Sequence, residues 1–431
     1  MKARSCETAM TDLKGFLSAT RAAGATADIV DSALETVRRH LGMEVAYLSE
    51  FVGEQSVFRA VSAPGLDALV KPGDSRPVSE VYCRHIIEGR LPRLIRDTRE
   101  EPLALSMPIT AAVPIGSHVS VPVRRADGSI YGMFCCLSSR PNASLGPRDL
   151  EVMELFASIT AEQVNTSLAG RARVEAITAA TRAAMAGDGL EGGLTILYQP
   201  IIDLATLAPV GFEALCRFRS TPYRSPDKWF AEAAEVGLGE ALDCAAAGHA
   251  LLGLAVLPAS AYVSINAAPA TVEGGALTRM LTERDLGHDL SRVVLEVTEQ
   301  TAIAEPDVFA WQLDMLREQG LRLAVDDAGA GYAGLQLILR LRPDIIKLDM
   351  SLTRDIDTDH ARTSLVEAMT GFALKTGAAI VAEGIETEAE LAALRQLGVA
   401  CGQGYLLGRP DTLEQAVTRF PPTAPAVGRV A

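Results

Sequence analysis

The sequence predicts an α/β protein in two parts: a barrel of alternating strands and helices in the second half, with a smaller α+β domain ahead of it. Three observations carry that prediction. Between Leu194 and Leu407, short apolar runs each end on an acid, Asn, Lys or Gln: Val210–Glu213, Tyr262–Asn266, Val293–Glu296, Leu323–Asp326, Ile345–Lys347, Ala379–Glu383 and Ala400–Gln403. Helical segments alternate with them at Asp307–Gln319, Arg362–Lys375 and Glu388–Leu397, which implies βα units and a mostly parallel sheet. The polar ends mostly recur near the roughly 30-residue interval of an eight-unit, TIM-like barrel.

The elements ahead of the barrel follow in order. Ala27–His40 reads as an amphipathic helix with Ile29, Ala33, Leu34 and Val37 on one face. Strands are expected at Val45–Phe51 and Ser56–Val61, a helix over Val78–Glu88, and a hairpin of Ser117–Val123 and Ile130–Leu137 turning at Asp127–Gly128. A last helix starts near Pro147 and continues through Arg171–Met185 to a glycine cluster, Gly187–Asp188–Gly189 with Gly192–Gly193. The expected division is an N-terminal helical segment (1–25), an α+β domain (26–168), a helical linker (169–189), the barrel (190–418) and a loose tail (419–431). Cys244 to Ile265 holds no Asp, Glu, Lys or Arg, but His249, Pro258 and Ser260 interrupt it. It reads as an Ala-rich helix followed by a strand rather than a membrane span.

Bulk properties narrow the function. The chain has 431 residues, 48% hydrophobic and 22% charged, which suits a globular protein of two or three domains. A formal charge of −14 argues against nucleic acid or anionic lipid as a partner, although bound cations would still admit an anionic substrate. Seven scattered cysteines form no zinc-type pair and fit a reducing cytosol. Cys135 and Cys136 are adjacent on an expected strand, so they face opposite sides and read as buried thiols. No apolar stretch of the signal-peptide kind follows Lys2 and Arg4, and the expected location is cytoplasmic, with no membrane contact.

The barrel's chemistry lies at its strand ends. Buried strands carry apolar side chains, so polar residues recurring at the same end are not padding, and in such a barrel those ends open onto one face. Oxygen-bearing side chains converging there would cage hard divalent cations, which points to a metal-dependent hydrolase.

Ordered motifs sharpen this. Tyr198-Gln199-Pro200-Ile201, Gly211-Phe212-Glu213-Ala214-Leu215-Cys216-Arg217, Ser264-Ile265-Asn266, Glu296-Val297-Thr298-Glu299, Asp326-Asp327, Lys347-Leu348-Asp349, Glu383-Gly384-Ile385-Glu386 and Gln403-Gly404-Tyr405 together resemble the EAL-domain cyclic di-GMP phosphodiesterases over about residues 190–415. The resemblance implies Mg²⁺ or Mn²⁺ in a two-ion site. Glu213, Asn266, Glu296 and Asp326 would hold one ion, and Asp327 the second together with a bridging water. It implies that Lys347 orients water or stabilises transition-state charge, that Glu383 is the general base, and that Gln403 supports the water network. Gln199, Leu215, Arg217, Glu386 and Tyr405 would meet substrate, and Glu299 would steady the loop after Asp327. The residues alone leave other readings open. Asn266 could be a turn former, Lys347 could pair with Asp344 or Asp349 on a rim, and Glu386 could cap the next helix.

The implied activity is that of a cyclic-guanylate-specific phosphodiesterase releasing 5′-pGpG; the alternative is a catalytically weak or inactive cyclic di-GMP receptor. One departure supports the alternative. The family usually has Phe after the paired aspartates, whereas this chain reads Asp326-Asp327-Ala328-Gly329-Ala330-Gly331-Tyr332.

Ahead of the barrel, Tyr82-Cys83-Arg84-His85, Gly89-Arg90-Leu91-Pro92, Gly116-Ser117-His118-Val119 and Asp127-Gly128-Ser129-Ile130-Tyr131-Gly132 resemble a GAF domain. That implies a sensor of an unknown small molecule, and a homodimer in which the linker helix passes a change to the barrel. A bilin at Cys83 and His85, or haem at His118, is a conceivable use; a buried thiol beside an imidazole is the commoner one.

Overall fold

The computed structural model describes residues 26–66, 68–187, 193–220, 223–283, 290–298, 303–328 and 333–422. Glu299, the expected N-terminal segment, most of the glycine cluster and residues 329–332 lie outside the described residues. Contacts divide the chain into two compact units after Arg173.

In the first unit α1 (Thr26–His40) precedes β1 (Val45–Val52), β2 (Gln55–Ser62) and β3 (Ser75–Pro77). The short helices α2 (Tyr82–Ile87), α3 (Pro102–Ser106) and α4 (Pro108–Ala112) and the strand β4 (Leu94–Ile95) come next. They are followed by the hairpin β5 (Ser117–Arg124) and β6 (Ile130–Ser138). The six strands form one antiparallel sheet in the order β3-β2-β1-β6-β5-β4. Alternation along the strands loads both faces. Ala46, Leu48, Val119, Val121, Phe134 and Cys136 pack with Leu34, Val37, Met153 and Phe156. Val45, Tyr47, Met133 and Cys135 pack with Tyr82, Cys83, Ile86 and Ile109 on the other face. Cys135 and Cys136 thus lie on opposite sides of the sheet, both as buried free thiols.

The helix expected over Val78–Glu88 is two pieces. A 3₁₀ turn at Val78–Glu80 stops at Val81, whose backbone is extended (φ −107°, ψ 155°) and whose side chain is buried, and α2 begins after it. The elements β3, β4, α3 and α4 carry no signal in the sequence because two to five residues show no period. A single 40-residue helix, α5 (Pro147–Ala186), joins the two units.

The second unit is a closed barrel in the order β10-β11-β12-β13-β14-β7-β8-β9. Its strands are β7 (Leu194–Asp203), β8 (Pro209–Phe218), β9 (Tyr262–Asn266), β10 (Val293–Thr298), β11 (Arg322–Ala328), β12 (Ile345–Leu348), β13 (Ala379–Ala382) and β14 (Cys401–Gly402). Helices intervene: α6 (Pro226–Glu235), α7 (Gly239–Leu251), α8 (Pro269–Glu273), α9 (Ala276–Glu283), α10 (Pro306–Arg317), α11 (Ala333–Leu341), α12 (Met350–Thr353), α13 (His360–Thr376) and α14 (Glu388–Gln396). A final helix, α15 (Leu413–Arg419), follows β14.

The barrel is mixed: β7 runs antiparallel to both neighbours. Pro200 inside β7 argues against a strand in the sequence, since proline cannot donate to a ladder. It is tolerated because β14 is two residues long and reaches only Ile202 and Asp203, so the ladder lacks nothing at Pro200. No described helix is long and apolar enough to cross a membrane.

Candidate metal centre

The centre is assembled from the middle of β8, which runs on past Glu213 to Phe218, and from the C-terminal ends of β10, β11, β12, β13 and β14. The antiparallel β7–β8 pair sets Gln199 opposite Glu213, and the parallel β9–β10 pair sets Asn266 beside Glu296. Lys347 is the penultimate residue of β12, its side chain is 1% exposed, and four carboxylates surround its ammonium. The distances from Nζ are 2.8 Å to Glu296 Oε2, 2.8 Å to Glu383 Oε1, 3.2 Å to Asp326 Oδ1 and 3.3 Å to Glu213 Oε2. Pairing with Asp344 or Asp349 on a rim is therefore not what this lysine does. Gln403 Nε2 donates to Glu213 Oε2 (2.7 Å) and Gln199 Oε1 (2.9 Å), while Gln199 Nε2 donates to Gly408 O (3.1 Å). These three side chains are buried, so each fixes its neighbour's orientation.

Two consecutive acids on a regular strand would point to opposite faces. Between Val325 and Ala328 the β11–β12 register shifts, and Asp327 takes a left-handed backbone with φ 57°. Its N–H donates to Asp326 Oδ1 at 2.9 Å. The bulge re-aims the chain, so both carboxylates reach the centre.

Two overlapping oxygen sets result, Glu213–Glu296–Asp326 and Asp326–Asp327–Glu383, each with ligand atoms within 4.8 Å of one another. Oxygens across an octahedral Mg²⁺ stand about 4.2 Å apart, so either set needs little adjustment to close on an ion. Asp326 belongs to both.

Electrostatics are perturbed throughout. Burial pushes Glu296 up to about 8, with Lys347 opposing the rise and Glu213 and Asp326 adding to it. Burial likewise pushes Glu383 up to about 7, again against Lys347 and with Asp326 and Glu213. Burial and the Asp326 and Asp349 charges raise Asp327. Burial works against the charge on Lys347, but the four carboxylates outweigh it and hold its pKa well above the ordinary value.

The remaining expected residues are placed less centrally. Leu215 and Arg217 line a cavity of about 470 Å³ together with Asn266 and Glu296, and Arg217 Nη1 donates to Cys216 O at 2.8 Å. Glu386 pairs with Arg354 at 2.9 Å, and its backbone N–H is taken by the helix-capping Glu390. Thr387, not Glu386, is the N-cap of α14. Tyr405 is exposed with Arg409 stacked 4.3 Å from its ring centroid. Ala328 is the last residue of β11 and is buried among Leu348, Ile338 and Ile346, not in a solvent loop.

Sequence reasoning missed Asp243. This α7 residue is buried on the wall of the same cavity and accepts from Ala268 N (3.0 Å) and from Thr271 Oγ1. Its signal, an acid inside an otherwise Ala-rich helix, was available.

Fold and centre define the class: a barrel protein with an acidic, oxygen-only, cation-receptive site at its strand ends. Residues 182–410 match the EAL domain and residues 26–164 the GAF domain. With more than half of it inside the first match, the chain belongs to the EAL-domain family and carries a GAF domain ahead of the barrel. It is 34% identical over 236 residues to cyclic di-GMP phosphodiesterase PA2567 of Pseudomonas aeruginosa, a match covering 53% of this chain and 40% of that protein. It is 32% identical over 196 residues to probable cyclic di-GMP phosphodiesterase PdeA of Escherichia coli, covering 44% and 27%. The chain thus spans less than half the length of these relatives.

Among solved structures it is similar to EAL enzyme Bd1971 with cAMP and cyclic-di-GMP bound (TM-score 0.53, 16% identity, 88% of this chain and 93% of that one). It is also similar to the Xanthomonas citri FimX EAL domain in complex with c-diGMP (TM-score 0.50, 20% identity, 57% and 96%). At these identities the likeness is one of fold.

Proposed function

We propose that the barrel hydrolyses cyclic di-GMP, water adding across one P–O3′ bond to release 5′-pGpG, at a rate set by the GAF domain through α5. The observation that carries this reading is the pair of overlapping oxygen sets around the buried Lys347. The residues fit divalent ions on three counts. Their donors are all oxygen, without Cys or His, which favours Mg²⁺ or Mn²⁺. Five carboxylates (Glu213, Glu296, Asp326, Asp327 and Glu383) against one ammonium leave a formal excess of four negative charges, matching two dications. Gln403 Oε1 is buried with no hydrogen-bond partner, an acceptor positioned for a bound water.

In this reading Glu213, Asn266, Glu296 and Asp326 would hold one ion and Asp327 would help to hold the other. When bound, such a pair supplies an activated water and neutralises the phosphoryl oxygens. The chain's own residues do the rest. Lys347 keeps its charge beside the reacting phosphate and stabilises charge that develops there. Glu383, raised toward neutrality, accepts the proton of the attacking water. Gln403, held by Gln199, fixes the carboxylate of Glu213. Arg217 and Leu215 receive a nucleotide half in the cavity beside Glu296, with the guanidinium fork turned to phosphate. Glu386 and Tyr405 border the substrate farther out. A homodimer along α5 belongs to the same proposal, and a monomer in sedimentation at micromolar concentration removes it.

The test is turnover. With Mg²⁺ or Mn²⁺ the full chain converts cyclic di-GMP to 5′-pGpG on chromatography, chelation stops it, and Glu213→Ala abolishes it. Tight binding without conversion at saturating metal would instead establish the receptor reading that Ala328 motivates.

A further inference from the structure

The first unit encloses a cavity of about 630 Å³ between its sheet and short helices, the size of a drug-like ligand site. Tyr47, Phe58, Leu66, Val81, Ile109 and Ile115 make its lining largely apolar. Tyr47 and Tyr82 add hydroxyls, and one buried polar atom of the lining lacks a partner. His118 on β5 is 1% exposed, and its Nδ1 has no hydrogen-bond partner.

A buried nitrogen left unpaired has lost its water without replacement, so the cavity is built at a loss unless something pairs with it. Tyr82 does not: it meets the imidazole edge-on, with ring centroids 5.2 Å apart, and its hydroxyl is engaged with Thr110. Burial lowers the imidazole to about 4, so the ring is uncharged and Nδ1 can accept or, in the other tautomer, donate.

Charged groups at the wall are mostly committed. Glu44 accepts from Ser139 N (2.7 Å) and Oγ (3.0 Å), and Arg38 Nε donates to Ser62 Oγ at 3.0 Å. That leaves the half-buried Arg76, too little to hold a nucleotide's phosphate and ribose together.

We propose that this cavity binds a small, mainly apolar organic molecule carrying one hydroxyl or carbonyl group, which pairs with Nδ1 of His118, and that nucleotides are not its ligands. The inference rests on the reading of the GAF domain as a sensor and names the class of molecule it senses.

The test uses the full chain and a matched pair of probes, 2-naphthol and naphthalene, with binding followed by ligand fluorescence. The hydroxyl should tighten binding roughly three- to tenfold. His118→Leu should erase that preference while naphthalene still binds, and His118→Asn, whose amide reaches about as far as Nδ1, should keep part of it. Ile109→Trp, which fills the cavity from α4, should abolish binding of both probes. No binding of either probe to the wild type would overturn the proposal. So would a preference that survives His118→Leu, binding unchanged in Ile109→Trp, or cyclic GMP or cyclic AMP bound more tightly than 2-naphthol. Neither readout uses turnover. A chain inert toward cyclic di-GMP leaves this result standing, and a cavity that rejects the probes leaves the barrel chemistry untouched.

Discussion

Replacing Lys347 by Met keeps the unbranched apolar stem, one heavy atom shorter, and removes the charge that four carboxylates share at 2.8–3.3 Å. In the presence of a chelator this leaves a buried acidic cluster with no positive partner. Breaking a buried pair in that way costs about 3–5 kcal/mol. How much of the cost appears depends on pH. Glu296 and Glu383 have folded-state values near 8 and 7 against an ordinary 4.5. A carboxyl raised on folding contributes stability that is complete below about pH 4.5 and is lost as pH rises through the folded value. Lys347 holds both values down, so without it they climb further and the groups stay protonated near pH 6. The penalty should therefore be small at pH 6 and reach about 3 kcal/mol at pH 8.5. The chain has two tryptophans, Trp229 and Trp311, both in the barrel unit, so their fluorescence in urea reports the barrel alone. In chelator at pH 8.5 the barrel transition of Lys347→Met should move to lower urea, and Mn²⁺ should restore more stability to the variant than to the wild type. An unchanged midpoint at pH 8.5, or an equal loss at pH 6 and 8.5, would refute an electrostatic hold by Lys347.

Three further outcomes follow from single positions. Asp243→Asn weakens the anchor of the turn after Asn266, and the Mg²⁺ concentration for half-maximal turnover should rise roughly tenfold, the scale of one charged hydrogen bond; an unshifted metal titration removes Asp243 from this role. Ala328→Phe restores the family's usual residue to a position already packed against Leu348 and Ile338, so it should lower the melting temperature, costing about 1–3 kcal/mol, without raising turnover. In Gly404→Ala the new Cβ would lie 2.2 Å from Ile385 O and 2.3 Å from its N, neither of which can yield as a side chain would. The loss of stability should sit at the upper end of about 1–3 kcal/mol, and turnover should fall because Gln403 is displaced.

What was legible in the sequence tracks how each feature is encoded. Helices such as α10, α13 and α14 and strands β9, β10 and β12 lie within a residue or two of their expected bounds, because hydrophobic period specifies them. The strand β7 was hidden, since Pro200 breaks the pattern that defines a strand and its antiparallel course shows only in its pairing with β8 and β14. The polar strand ends announced the acids of the centre. They also placed Lys347 among them, although one charge at a strand end reads as well as a rim ion pair, and the four carboxylate contacts decide between the two. Asp243 did leave a signal, an acid inside an Ala-rich helix, but what it anchors shows only once the loop that donates to it is in place.

The paired aspartates show most clearly where one dimension falls short. Two neighbours on a strand cannot share a face unless the backbone departs from the strand, and here it does so at Asp327, in a conformation that costs most residues but that Asp tolerates. The strand must then return to the barrel wall within one residue. Ala328 makes that return, pairing with Leu348 and accepting from Asp349 N through its carbonyl. Its small side chain is buried in the same apolar cluster as Leu348 and Ile338. Ala328 thus sits in the barrel wall directly behind the bulge, and both oxygen sets stand complete beside it.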